Sequence, residues 1–254
     1  MIKRCSIPIW YLATLLFTGI LLLPHFVWVN AGNYSVSFTQ FGPLFSTMLL
    51  IRLTRDIDAR DKIKKGLLFN TRSIPWYVLS VVIPFGLTGI SALILTWFFD
   101  SPYHAWDGNF TFYFLNLIAM VLGSIGEEIG WRGYLLPSLN KKTSPFISSI
   151  IVGFLWGFWH LNYAGDVVFW LFFIVTTIEL SILFTFLLNK ANGNLWTAII
   201  FHTFFNFANR VFVWERFTIN LLLIEIVIFG LTCAFVLVLD RKSMFMSKLR
   251  FTQK

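Results

Sequence analysis

SIGEEIGWRG, residues 124–133, follows directly on the apolar run LNLIAMVLG and places two adjacent carboxylates, Glu127 and Glu128, and a guanidinium, Arg132, at the end of a membrane-like stretch. An ionised side chain in hydrocarbon costs about 3 kcal/mol on insertion scales. Either the span stops near Gly126 and leaves the pair solvated at the interface, or the charges work inside a bundle. The rest of the chain decides between these.

Its 254 residues are 57% hydrophobic and 13% charged, against about a quarter charged in soluble domains. That excludes an ordinary soluble fold and predicts an all-α, polytopic membrane helix bundle, one integral membrane domain over residues 1–254. The net charge of +8 comes from short basic clusters between apolar runs. Nucleic acid is therefore not an expected partner, whereas the lipid bilayer is. Apolar windows of about 20 residues fall at 7–29, 36–53, 75–99, 111–130, 145–163, 167–188, 195–213 and 218–239, giving about eight transmembrane helices. With the N-terminus placed in the cytoplasm, all lysines and arginines fall on that side except Arg132, Arg210 and Arg216, as the positive-inside rule requires. Both termini are expected to be cytoplasmic, and the expected location is the cell membrane, multi-pass.

Lys3 and Arg4 precede an apolar run that reaches Val29 without a small-residue cleavage site, so it reads as a retained first span. Cys5 and Cys233 have neither metal nor redox spacing and read as reduced thiols. Trp10, Tyr11, Trp28, Trp76, Tyr77, Trp97, Tyr163 and Trp196 sit near span ends and fit an interfacial belt. His25 and His104 fall at the outer edge and read as solvated.

Intramembrane polar residues usually face the bundle interior and mark function. Here they are Glu127, Glu128, Arg132, His160, Glu179, His202, Asn206 and Glu225, with Asn116 and Asn209 behind them. Glu128 and Arg132 are four apart, on one helical face, and can pair. Glu127 projects about 100° away and is left to act as a base. His202 and Asn206 in FHTFFNFAN are one turn apart, and His160 closes the aromatic stretch GFLWGFWHL. Glu179, among Thr176, Thr177 and Ser181, reads as an interhelical hydrogen bond, and Arg210 as an interfacial residue.

A carboxylate, two histidines and an asparagine from three spans have the parts for water-mediated amide hydrolysis. Glu127 would take the water proton and His160 orient the water, while His202 and Asn206 would donate to the oxyanion. No serine or cysteine nucleophile with a paired base is evident, and HExxH is absent. No cofactor is expected. Glu127, His160 and His202 also form a donor set for zinc, which stays open as an alternative.

EEIGWR at Glu127–Arg132 resembles the EExxxR motif of the CAAX protease and bacteriocin-processing family, the Abi group that includes the type II CAAX prenyl endopeptidases. FHTFFN resembles its HxxxN motif at His202 and Asn206, and GFLWGFWHL its FxxxH motif at His160, with Trp156 where the family has Phe. The resemblance covers roughly residues 111–210, the expected catalytic core. It implies an intramembrane glutamate-type endopeptidase acting on a peptide or membrane-protein substrate, with Glu128 and Arg132 as the structural pair. Members described as metalloproteases keep the metal alternative in view. Others are linked to bacteriocin immunity or act as scaffolds, so a catalytically silent membrane protein is the second reading. A proton-coupled transporter is the third, disfavoured by the lack of an internal repeat.

Counted from the cytoplasmic span ends, Glu127, His160 and His202 differ in depth by about 12 Å at 1.5 Å per residue. Convergence then requires WRGYLLPSLN to lie along the interface, as Gly133 and Pro137 permit, and the fifth span to tilt or start later. A cavity open to the cytoplasm is expected.

Overall fold

The computed structural model describes residues 6–27, 38–99, 109–161, 165–213 and 218–246. Lys3, Arg4, Cys5, Trp28, His104, Tyr163, Arg216 and the basic residues beyond Met246 lie outside these, as does the side chain of His25.

The described residues form an all-α bundle: α1 (Ser6–Val27), α2 (Gly42–Thr54), α3 (Ile57–Gly66), α4 (Ile74–Phe99), α5 (Phe110–Gly130), α6 (Leu136–Leu139), α7 (Pro145–Trp159), α8 (Val167–Lys190), α9 (Trp196–Phe212), α10 (Ile219–Leu239) and α11 (Arg241–Phe245). Helix starts follow from side chains that take up orphan backbone N–H groups. Asn109 accepts from Phe112, Ser144 from Ile147 and Asp166 from Val168 and Phe169. Pro145 then occupies the first turn of α7, where its missing N–H costs nothing.

Among the described residues, five stretches are long and apolar enough to cross a bilayer: Ser6–Leu23, Thr71–Phe99, Phe110–Leu139, Val167–Lys190 and Ile219–Leu239. The chain is a multi-pass membrane protein. The other three expected spans form shorter helices, α2, α7 and α9, of 13, 15 and 17 residues. At 1.5 Å per residue these reach about 20–26 Å, less than the hydrocarbon thickness of about 30 Å. Of α8's most apolar window 50% is buried, against 11% for α1. Hence α8 is central and α1 peripheral.

Residues 131–140 differ from the expectation. They are not an irregular break in the helix: α5 runs on through a π-helical turn, Trp131–Leu135, into α6. Trp131, Arg132, Tyr134, Leu135 and Leu136 are all buried. The aromatic belt also needs correction. Trp10 is fully buried, donates to Thr47 (2.8 Å) and packs edge-on against Trp131. Tyr77 is buried as well, whereas Trp97 is 83% exposed. Hydropathy places a residue along a helix but says nothing about which face it occupies.

Two glycine pairs set the close helix contacts. Gly126 and Gly130 flank the two glutamates and abut the backbone at Gln40 and Pro43, ahead of and within α2. Gly153 and Gly157 abut α8 at Thr177, Ile178 and Ile174. This is the small-xxx-small spacing that lets backbones approach in a membrane. Thr177 adds a hydrogen bond to the Gly153 carbonyl, 3.1 Å. The contact leaves no room for a side chain, so Gly153→Val should part α7 from α8 and lower stability by about 1–3 kcal/mol. Thermal unfolding of the detergent-solubilised variant, with Gly86→Ala in open space on α4 as control, measures this; an unchanged midpoint would contradict the packing.

Candidate active site

The π-helical turn begins just after the two glutamates, with the Trp131 N–H shared between the Glu127 and Glu128 carbonyls. Such turns widen the helix locally and are frequent at functional sites. Here both carboxylates and the guanidinium point into the bundle, with Glu127 and Arg132 1% exposed and Glu128 fully buried. The interface-solvated alternative is thereby removed.

Glu128 Oε1 accepts from Arg132 Nη1 at 3.0 Å and from His202 Nδ1 at 2.8 Å. One carboxylate therefore ties the π-turn to α9. The Arg132 guanidinium lies over two rings, 4.6 Å from the Trp156 centroid and 4.1 Å from that of Phe184. Cation–π contacts of this kind help to hold a desolvated arginine.

Glu127 turns to a different set of partners. Its Oε2 accepts from the Trp156 indole N–H at 2.8 Å and its Oε1 from the Gln40 amide at 3.3 Å. The Trp156 ring meets His202 edge-on with centroids 5.3 Å apart and His160 at 5.7 Å. Glu127 also acts electrostatically on His160, His202 and Arg132. Trp156 thus joins the two glutamates, the arginine and both histidines into one cluster.

The same side chain bridges the difference in depth. His160 stands just past the last residue of α7, and Trp156 is one turn back toward the level of Glu127, about 6 Å. His160 Nδ1 lies 2.8 Å from the Trp156 carbonyl. A carbonyl only accepts, so Nδ1 carries the proton and Nε2 presents its lone pair. The ring is packed edge-on against Trp159 and Phe173. Asn206 stands one turn along α9 from His202, half-buried and with its amide not hydrogen-bonded among the described residues.

The remaining polar residues stay apart from the cluster. Glu179 makes no interhelical hydrogen bond through Oε2, and both Glu225 oxygens are unpaired among the described residues. These two carboxyls act on each other across α8 and α10, and the buried Cys233 thiol donates to the Glu179 carbonyl. Arg210 is buried over the Phe112 ring, 4.6 Å from its centroid.

A zinc site from Glu127, His160 and His202 does not fit this arrangement. Both Glu127 oxygens are engaged by N–H donors, the Arg132 charge lies within the cluster, and among the described residues no three such ligands come together. Gln40 and Trp156 are the partners that spacing missed. Gln40 is 87 residues from Glu127, beyond any local pattern. Trp156 was visible only as a departure from a motif, and its indole N–H is what a Phe lacks.

Residues 109–208, which hold every member of the cluster except Gln40, match the family model for type II CAAX prenyl endopeptidases of the Rce1-like kind. The chain is similar to CAAX prenyl protease 2 of Methanococcus maripaludis, 24% identical over 94% of this chain and 97% of the relative. It is also similar to Lysostaphin resistance protein A of Staphylococcus haemolyticus, 26% identical over 46% of this chain and 32% of that protein. The chain is a multi-pass membrane protein that is similar, over residues 109–208, to the Rce1-like type II CAAX prenyl endopeptidases.

Proposed function

We propose that the protein is an intramembrane endopeptidase in which Glu127 activates a water molecule. One observation carries this reading: through Trp156, a carboxylate acceptor and two histidine rings are gathered at one buried point.

In this reaction Glu127 takes one proton from water while the Nε2 lone pair of His160 holds the other. The water oxygen adds to the peptide carbonyl carbon, and charge grows on the carbonyl oxygen. His202 Nε2 and the Asn206 amide donate to that oxyanion. Donation by Nε2 while Nδ1 serves Glu128 requires the doubly protonated ring. The count of charges supports it, since Glu127 and Glu128 then balance Arg132 and His202. Collapse of the tetrahedral intermediate breaks the C–N bond, and Glu127 delivers its proton to the leaving amine. Glu128 and Arg132 touch no reacting atom in this scheme and act as positioning residues. No metal enters any step. The substrate is a peptide or membrane-protein segment that reaches the cluster from the bilayer or the vestibule beneath it.

Glu127→Gln keeps the size of the side chain and removes the base, so cleavage of a peptide library by the detergent-solubilised protein should fall about 10²- to 10⁴-fold. A chelator should leave the parent activity unchanged. Cleavage that survives the substitution would refute the role of Glu127, and cleavage abolished by chelator would refute the metal-free step.

Trp156→Phe keeps the aromatic packing and deletes the indole donor. It should lower kcat about 10- to 100-fold with little change in KM, as expected when a base loses its fixed orientation. An unaltered kcat would show that Trp156 only fills space.

A further inference from the structure

A vestibule of about 1180 Å³ opens at the lysine-bearing end of the bundle, between α3, the turn after it, α6, the α8–α9 turn and α11. Its frame is fixed: the Leu195 backbone N–H donates to the Gly66 carbonyl, the Asn194 side-chain amide to that of Leu68 and the Trp196 indole to that of Leu67. Lys62, Lys65, Lys141 and Lys242 line it, and no aspartate or glutamate does so among the described residues. All four lysines are exposed at the rim.

Arg132 also lines it and is 1% exposed. Its Nη1 is spent on Glu128, but Nε and Nη2 have no partner among the described residues. Nε and Nη2 are themselves enclosed, so the guanidinium adds its charge to the floor of a space rimmed by lysines. A concave wall of one sign concentrates the opposite charge. Phe69 and Met246 line the same space, so the wall suits chain with both acidic and apolar side chains, not a bare ion.

We infer that this vestibule receives an acidic peptide segment whose carboxylates meet the lysine ring, with the charge of Arg132 beneath them. The inference rests on the peptidase reading for its substrate class. The buried floor of the vestibule, Arg132, is hydrogen-bonded to the carboxylate that holds His202, so a segment seated here leads to the cluster.

The test reads binding without turnover. Full-length protein in phosphatidylcholine nanodiscs is titrated with a short dye-labelled peptide carrying several glutamates, and with the same peptide carrying glutamines. The glutamate peptide should bind roughly tenfold tighter at low salt, and the gap should shrink as salt rises toward about 0.5 M. Inorganic phosphate should compete only weakly. In a Lys62→Gln/Lys242→Gln variant, both positions exposed and outside the cluster, the gap should narrow while the melting temperature stays unchanged. Equal binding of the two peptides, or a gap indifferent to the lysines, would overturn the inference. So would lysine-dependent preference for phosphatidylglycerol nanodiscs without any acidic-peptide preference, which would assign the vestibule to a lipid headgroup. Failed binding with cleavage intact removes the vestibule's role alone; acidic binding with no cleavage removes the peptidase reading alone.

Discussion

The fold turns on one fully buried carboxylate. Glu128 accepts from Arg132 four residues on and from His202 seventy-four residues away, so it fixes the π-turn of α5 against α9 at a depth where water is not available to solvate it. A buried pair of this kind is weak evidence for stability, since its desolvation offsets much of the attraction. Its worth here is geometric: with Arg132 clamped between Trp156 and Phe184, neither α7 nor α8 can shift without exposing a charge to hydrocarbon. The neighbouring carboxylate, Glu127, is then held for other use.

Close backbone contact makes this possible. Side chains as short as glutamate and glutamine meet across two segments only because Gly126 lets the residues before α2 approach α5. Gly153 and Gly157 seat α7 on α8, which aims Trp156 at Glu127. In lipid, apolar surface alone gives little drive for helices to associate, and tight packing with interhelical hydrogen bonds takes over. The Tyr11 hydroxyl on the Leu155 carbonyl and the Trp159 indole on Thr18 tie α1 to α7 in the same way.

Much of this was legible in the sequence. Hydropathy gave the helices, and the spacing of Glu128 and Arg132 placed them on one face. Less legible was the burial of the pair, although GEEIG itself held the clue, because glycines four apart around two glutamates mean a helix contact too close to leave the acids in solvent. GFLWG carries the same spacing around Trp156. Trp10 could not be read correctly, since its partner Thr47 lies on α2 and near-terminal tryptophans are as common at interfaces as in cores. For the difference in depth the structure offers an indole one turn below His160 that reaches Glu127, and the chain after Arg132 stays helical and buried.

Charge pairing explains why the arrangement can persist in a membrane at all. Glu128 is packed against the Arg132 guanidinium and the His202 ring, and such pairing offsets part of the solvation penalty that any one member would meet alone. Pairing also makes the cluster brittle: deleting one partner leaves the other unpaired in hydrocarbon, a greater loss than deleting both. Glu179 and Glu225 follow another rule. They have no cation among their hydrogen-bond or ion-pair contacts in the described residues, and they lie on α8 and α10, apart from the cluster. The bundle thus keeps two kinds of buried acid, one set among N–H and guanidinium partners and one without them, and only the first stands beside the ring that meets both histidines.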